Sequence, residues 1–150
     1  MAIRTQLQNG LRRLNPPPAG PDDQELILGC LNAYCWALDT DQLDDLRAVF
    51  TPDAVLEKGD DIVRGINAIV ESAQAMLEEF SACQHLVTNH QIDVNNDVAR
   101  SRSQLLTHRL ISDGDERLRI EAGTFEDDWI RTLSGWRIVH HREEITFGSP

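Results

Sequence analysis

Five histidines, three cysteines and 25 acidic side chains are the groups of this 150-residue chain that could move protons or hold a metal ion. Asp39 stands at the C-terminal end of an apolar helical pattern. The helix dipole disfavours an anion there, and burial would disfavour the charge further. A partner such as His85 would offset both effects. The periodicity leaves a second reading open, a solvated acid in the run Asp39-Thr40-Asp41. His85 alternates with Val87 and Asn89 along one strand, and His108 shares a strand face with Leu106 and Leu110. Either histidine could be a satisfied structural side chain or a proton-transfer group. Tyr34 lies on the apolar stripe of the helix that Asp39 ends. Five residues are roughly 140° around an ideal helix. Tyr34 and Asp39 therefore meet one ligand only if the helix ends or distorts near Asp39. His140 and His141 adjoin, so only one of them can face inward, with Arg142 as an alternative inward group.

Other chemistries are poorly supported. There is no His-x-x-x-His helix, and His85 and His90 point to opposite faces of one strand. Cys83 and His85 share a face, but two ligands do not make a zinc site. Cys30, Cys35 and Cys83 contain no CxxC pair, which argues against a disulfide framework and a zinc knuckle. Cys30 and Cys35 read as packing within the first helix. No phosphate-binding loop or dinucleotide fingerprint appears. The expectation is acid–base chemistry by side chains alone, with no cofactor and no metal.

The elements that must position these residues follow from periodicity. Asp22 and Glu25 have the spacing of a capping box, and Ile27, Leu28, Leu31, Tyr34 and Leu38 recur at helical spacing after it. A second short helix carries Leu43, Leu46 and Phe50, with Thr51-Pro52-Asp53 as its stop. Residues 55–57 and 62–64 read as a hairpin around Gly59-Asp60-Asp61. Gly65 leads into a third helix bearing Ile66, Ile69, Val70, Ala73, Leu77 and Phe80. Four long alternating segments follow, at about 83–94, 98–111, 117–130 and 136–147, separated by turn-forming residues. Helices first and a strand meander last predict an α+β fold. A long meander must curl, and helices packed on one face leave a concave pocket.

Composition bounds the partners. The formal charge is −11, which repels nucleic acid and anionic membrane surfaces. No apolar run approaches the ~20 residues of a spanning helix, and no apolar leader segment is visible. These features predict a cytoplasmic protein with reduced cysteines. Residues 1–21 hold three arginines and no acid and end just after Pro16-Pro17-Pro18. They read as an arm that packs on the body or on a partner subunit, with a transit peptide as the alternative. Residues 22–150 form one domain. Strands 98–111 and 117–130 carry apolar residues on both alternations, for example Leu105 with Leu106. One face can line the pocket, so the other needs cover, and a homodimer through the sheet is expected.

Several local patterns resemble a known family. Tyr34-Cys35-Trp36-Ala37-Leu38-Asp39 is similar to a Y-x-x-A-x-D helix end. Residues 44–50 followed by Thr51-Pro52-Asp53-Ala54 resemble an L-x-x-L-F-x-x-D-A step. Arg64-Gly65, Gln84-His85-Leu86, Gly123-Thr124-Phe125-Glu126-Asp127 and Gly135-Trp136-Arg137-Ile138 also fit. Their order over about residues 22–147 resembles the SnoaL-like (polyketide-cyclase-like) branch of the nuclear-transport-factor-2-like (NTF2-like) superfamily. The resemblance implies an α+β cone in which a curved antiparallel sheet wraps on N-terminal helices and encloses a pocket for a small apolar ligand. It also favours a dimer through the sheet. The superfamily includes isomerases, cyclases, dehydratases, a dehydrochlorinase and non-catalytic transport factors, so fold alone does not fix function. Dehydratase-type members place an aspartate late in the first helix and a histidine early in the first long strand, the places of Asp39 and His85 here. Tyr34 fits the tyrosine of bile-acid dehydratases, and His108 the second histidine of scytalone dehydratase. Leu38 stands where the scytalone type has a tyrosine, which counts against that substrate. The resemblance thus implies a cofactor-independent dehydratase-type lyase for a small cyclic carbonyl compound. Isomerisation or cyclisation through the same enolate, and a non-catalytic small-molecule-binding module, are the alternatives.

Overall fold

The structure, a computed structural model, describes residues 21–112 and 116–149. The expected arm lies outside these residues except for Pro21. Helix α1 (Asp23–Asp39) starts at the expected capping box: Asp22 Oδ1 accepts from the Glu25 amide at 2.9 Å, and Glu25 Oε2 accepts from the Asp22 amide at 3.1 Å. Its buried stripe holds Ile27, Leu31, Tyr34 and Leu38. The next element is a 3-10 helix, Leu43–Ala48, which buries Leu43 and Leu46. Phe50 does not end it but begins strand β1 (Phe50–Lys58). Pro52 is tolerated inside this strand because the β1–β6 ladder is interrupted between Phe50 and Val55. Strand β2 (Asp61–Arg64) closes the expected hairpin, with Glu57 opposite Ile62. Helix α2 (Ile66–Leu77) follows. Strands β3 (Ala82–Asn95), β4 (Val98–Ser112), β5 (Glu116–Thr132) and β6 (Gly135–Gly148) form the meander.

The six strands make one curved sheet in the order β2-β1-β6-β5-β4-β3. All neighbours are antiparallel except β1 and β6, which run parallel. Register breaks lie between Thr88 and Gln91 on β3, and between Ala122 and Gly123 and between Asp128 and Trp129 on β5. Bulges of this kind bend a strand and increase its twist. At Gly123 the close approach of β6 demands glycine, since a Cβ there would lie 2.0 Å from the Glu144 carbonyl oxygen. Gly135, at φ 103°, makes the β5–β6 turn.

The concave face packs on α1. Ile27, Leu31, Leu46, Phe50, Phe125, Trp129 and Ile138 are almost wholly buried between sheet and helices, and truncating one of the aliphatic side chains to alanine would cost about 2–5 kcal/mol. On β4 the buried residues are Ala99, Ser101, Ser103, Leu105, Thr107 and Arg109. His108 therefore faces the other way, with Leu106 and Leu110. On β3, His85 and Val87 face inward, but the break at Asn89 (φ 55°) turns that residue out. Among the described residues no helix is long and apolar enough to cross a membrane.

Candidate active site

Because α1 ends at Asp39, that carboxylate is free to reach across to β3. Its Oδ1 lies 2.6 Å from His85 Nδ1, and its Oδ2 accepts from the His85 backbone amide at 2.9 Å. Cys83, two residues before His85 on the same strand face, donates its thiol to Oδ1 at 3.5 Å. Three donors thus satisfy a carboxylate that the helix terminus disfavours. The side chains of His85 and Asp39 are 1% and 16% exposed. A carboxylate on Nδ1 fixes the ring's orientation and selects the tautomer with Nδ1 protonated. Nε2 is then a lone-pair acceptor, the arrangement of a general base. Asp39, Cys83 and His85 could also offer three ligand atoms to one cation. Two ligands on a tetrahedral zinc ion lie about 3.3 Å apart, so the 2.6 Å Nδ1–Oδ1 contact is the geometry of a hydrogen bond. Burial, then Asp39, push the Cys83 thiol up to about 11, so it is a poor thiolate donor. Burial pushes Cys30 to about 11 and Cys35 to about 12, and both pack on α1 as expected.

His85 lines a cavity of about 340 Å³ between the concave face and α2. Its apolar wall comes from Leu38, Leu46, Leu56, Ile69, Met76 and Phe80. Tyr34 and His85 both line it, and Asp39 reaches it through His85. The Tyr34 ring packs edge-on against Phe50 and Phe125 and tilts against His141 at 4.9 Å. Burial holds its hydroxyl far above the usual tyrosine range, so it remains a neutral donor. Among the described residues three larger hollows, of about 530, 650 and 530 Å³, are lined by no histidine.

The structure brings Tyr34, Asp39 and His85 together and leaves His108 out. The residue of β4 that enters the cavity is Arg109, one position further. Lys58, Arg119 and Glu143 also line it, none of them singled out from sequence. Arg109 donates to Glu121 at 2.5 Å and stands 3.8 Å from Glu143, and Lys58 stands 3.2 Å from Glu143. Burial raises the Glu143 pKa, but Lys58, His141 and Arg109 more than offset this, and the net shift is downward. Of the adjacent histidines, His141 is the inward one, bound to Asp127 at 2.6 Å and fully buried. His140 and Arg142 lie on the outer side, with Glu57 and Asp128. Alternation on β4 could have pointed to Arg109, which shares a face with Leu105 and Thr107, but that face is mostly polar.

Comparisons with known proteins agree with this architecture. A model of the SnoaL-like domain matches residues 22–142. An uncharacterized protein of Mycobacterium tuberculosis is 31% identical over 119 residues, covering 76% of this chain and 79% of the relative. A candidate scytalone dehydratase from Novosphingobium aromaticivorans superposes with a TM-score of 0.77 at 20% identity, covering 84% of this chain and 85% of that one. A type 2 hexachlorocyclohexane dehydrochlorinase, LinA, superposes with a TM-score of 0.78 at 16% identity, covering 85% and 87%. The chain belongs to the SnoaL-like domain family, and its fold is the NTF2-like cone.

Proposed function

We propose, with membership of the SnoaL-like family as the premise, that this chain is a cofactor-independent lyase of the dehydratase type. Its substrate is a small cyclic carbonyl compound, largely apolar where it meets the cavity wall. The observation that carries the reading is the 2.6 Å Asp39–His85 contact at the wall of a 340 Å³ cavity. His85 Nε2 takes a proton from the carbon next to the carbonyl, and the electron pair moves onto the carbonyl oxygen. Tyr34 donates a hydrogen bond to that oxygen as charge builds there. Asp39 stabilises the imidazolium. The enolate then re-forms the carbonyl and expels the β-hydroxyl, which takes the proton from His85 and leaves as water. A positioned proton-transfer group supplies about 10²–10⁴-fold. The dehydratase and dehydrochlorinase names among structures of this fold, both eliminations, support the choice. Isomerisation that relies on a second, protonated acid is less well supported: of the cavity acids Asp61, Glu79 and Glu143, Glu143 is the buried one, and its neighbours favour its ionised form. Product-resolved assay of cyclic β-hydroxy carbonyl compounds tests the reading. Loss of water abolished in His85→Gln supports it, and no turnover of any such compound by a folded, ligand-binding chain overturns it.

The working form is proposed to be a homodimer through the outer face of the sheet. Leu86, Leu106, Ala122 and Phe147 stand side by side across four strands, and Leu110 pairs with Leu118 four residues along β4. Leu86, Leu106, Leu118, Ile120 and Phe147 are all exposed in the single chain, and an apolar patch of this kind marks an interface. Light scattering at micromolar concentration should give twice the chain mass, and Phe147→Glu the single mass. A monomeric mass for the unaltered chain overturns the proposal.

A further inference from the structure

Arg109 and Glu143 are unusual among the groups of the cavity because each is buried and incompletely partnered. Their side chains are 5% and 6% exposed. Arg109 uses Nη1 on Glu121, but Nε and Nη2 have no hydrogen-bond acceptor among the described residues. Among the described residues Glu143 Oε1 has the Lys58 ammonium beside it, at 3.2 Å, and that contact leaves a lone pair of the oxygen unused. Nη2 and Oε1 face each other at 3.8 Å, too far for a direct bond. Leaving such groups unsatisfied costs about 1–3 kcal/mol each. The chemistry of the pair decides what would satisfy it. Along the cavity wall Lys58, Arg109 and Arg119 balance Asp61, Glu79 and Glu143, so the wall has no net charge to attract an ion. A carboxylate would suit Arg109 but be repelled by Glu143, and an ammonium the reverse. A carbonyl or ether oxygen would serve Arg109 and leave Glu143 bare. A hydroxyl both accepts and donates through one oxygen, so of these groups it is the one that serves both.

We infer that Arg109 and Glu143 form a hydroxyl-recognition subsite, so that the ligand of this cavity is a ring compound bearing a hydroxyl group remote from the reacting carbons. The inference rests on the function proposed above for the identity of the cavity, but binding tests it without turnover. The probes are indanone, its ring-hydroxylated isomers, and the methoxy and carboxy counterparts, titrated into the full-length protein by calorimetry. At least one hydroxyindanone should bind about tenfold or more tightly than indanone and than its own methoxy and carboxy counterparts. Glu143→Gln, which keeps size and an acceptor oxygen, should reduce that preference to about twofold or less, while indanone itself binds as before. Arg109→Lys provides a second variant should either one fail to fold. His85→Gln should keep the preference. Equal binding of all the compounds, which would mean the pair holds only water, overturns the inference. So does tightest binding of the carboxy compound, or absence of binding by every hydroxyindanone at millimolar concentration. Hydroxyl preference without any lyase activity would leave the subsite standing and remove the lyase reading instead.

Discussion

Two histidine–aspartate pairs occupy the concave face of this sheet with the same Nδ1–Oδ1 distance of 2.6 Å. Asp39 and His85 join the end of a helix to a strand at the cavity wall. Asp127 and His141 join two neighbouring strands and have no exposure at all. Around the second pair stand Tyr34, Phe50 and Phe125, with the His141 ring 4.6 Å from that of Phe125. Asp127 Oδ2 accepts from Ser101, whose oxygen accepts in turn from the Trp129 indole at 2.8 Å. The pairwise geometry is the same, so it is not what would separate the pair proposed to transfer protons from a structural one. Access separates them: His85 lines a cavity, whereas His141 Nε2 is buried with no hydrogen-bond partner among the described residues.

Altering one pair at a time sharpens the contrast. The largest effect should follow Asp127→Ala, which leaves His141 buried without its acid. Breaking a buried pair costs about 3–5 kcal/mol, a fall in Tm of about 6–20 °C at 2–4 °C per kcal/mol for a domain of this size. Scanning calorimetry measures it, and a shift of only a degree or two would mean the pair carries little stability. Asp39→Asn and His85→Gln should instead lower turnover by about 10²-fold or more, with Tm changed little. Near-normal turnover in both would remove the proton-transfer role.

Glu143 links the two pairs, since it lines the cavity while His141 helps hold its charge. Its folded pKa lies below its ordinary 4.5. Its contribution to stability is therefore present above that value and lost as pH falls through the lowered one. Tm measured from neutral pH down into this range should fall less steeply for Glu143→Gln than for the unaltered protein, and parallel curves would show that the shift is absent. The smallest effect belongs to His108, which faces away from the cavity and has no acid partner among the described residues. His108→Gln should leave turnover unchanged and stability within about 0.5 kcal/mol, and a large loss of turnover would restore it to the site.

Much of the cone was legible because its signals are local. The capping box at Asp22, the stripe from Ile27 to Leu38 and the alternating segments divided by Asn96 and Gly135 depend on neighbours a few residues apart. The parallel pairing of β1 with β6 was not legible, since it joins Phe50 to Ile138 across most of the chain. Asp39 and His85 could be named from the family pattern, although periodicity alone would have left Asp39 in solvent. Arg109 was missed for a physical reason. The buried face of β4 presents Ser101, Ser103 and Thr107, while its outer face presents Leu106 and Leu110. Reading apolar as inside selects the wrong side where a cavity wall must be polar and an outer face is apolar. Glu143, next to Glu144, looks like part of a solvated charge run.

The β1–β6 pairing also sets the order in which a nascent chain can complete this molecule. As residues leave the ribosome, β1 and β2 appear early, but the second neighbour of β1 comes only with residues 138–143. Until then the hairpin is a two-stranded ribbon, marginal by itself and with an open edge. Asp39 can already meet His85 at that stage, whereas Lys58 has no Glu143 opposite it. The half of the cavity that would do proton transfer is thus assembled before the half that would read the ligand. A polypeptide halted short of Ile138 would carry the former without the latter.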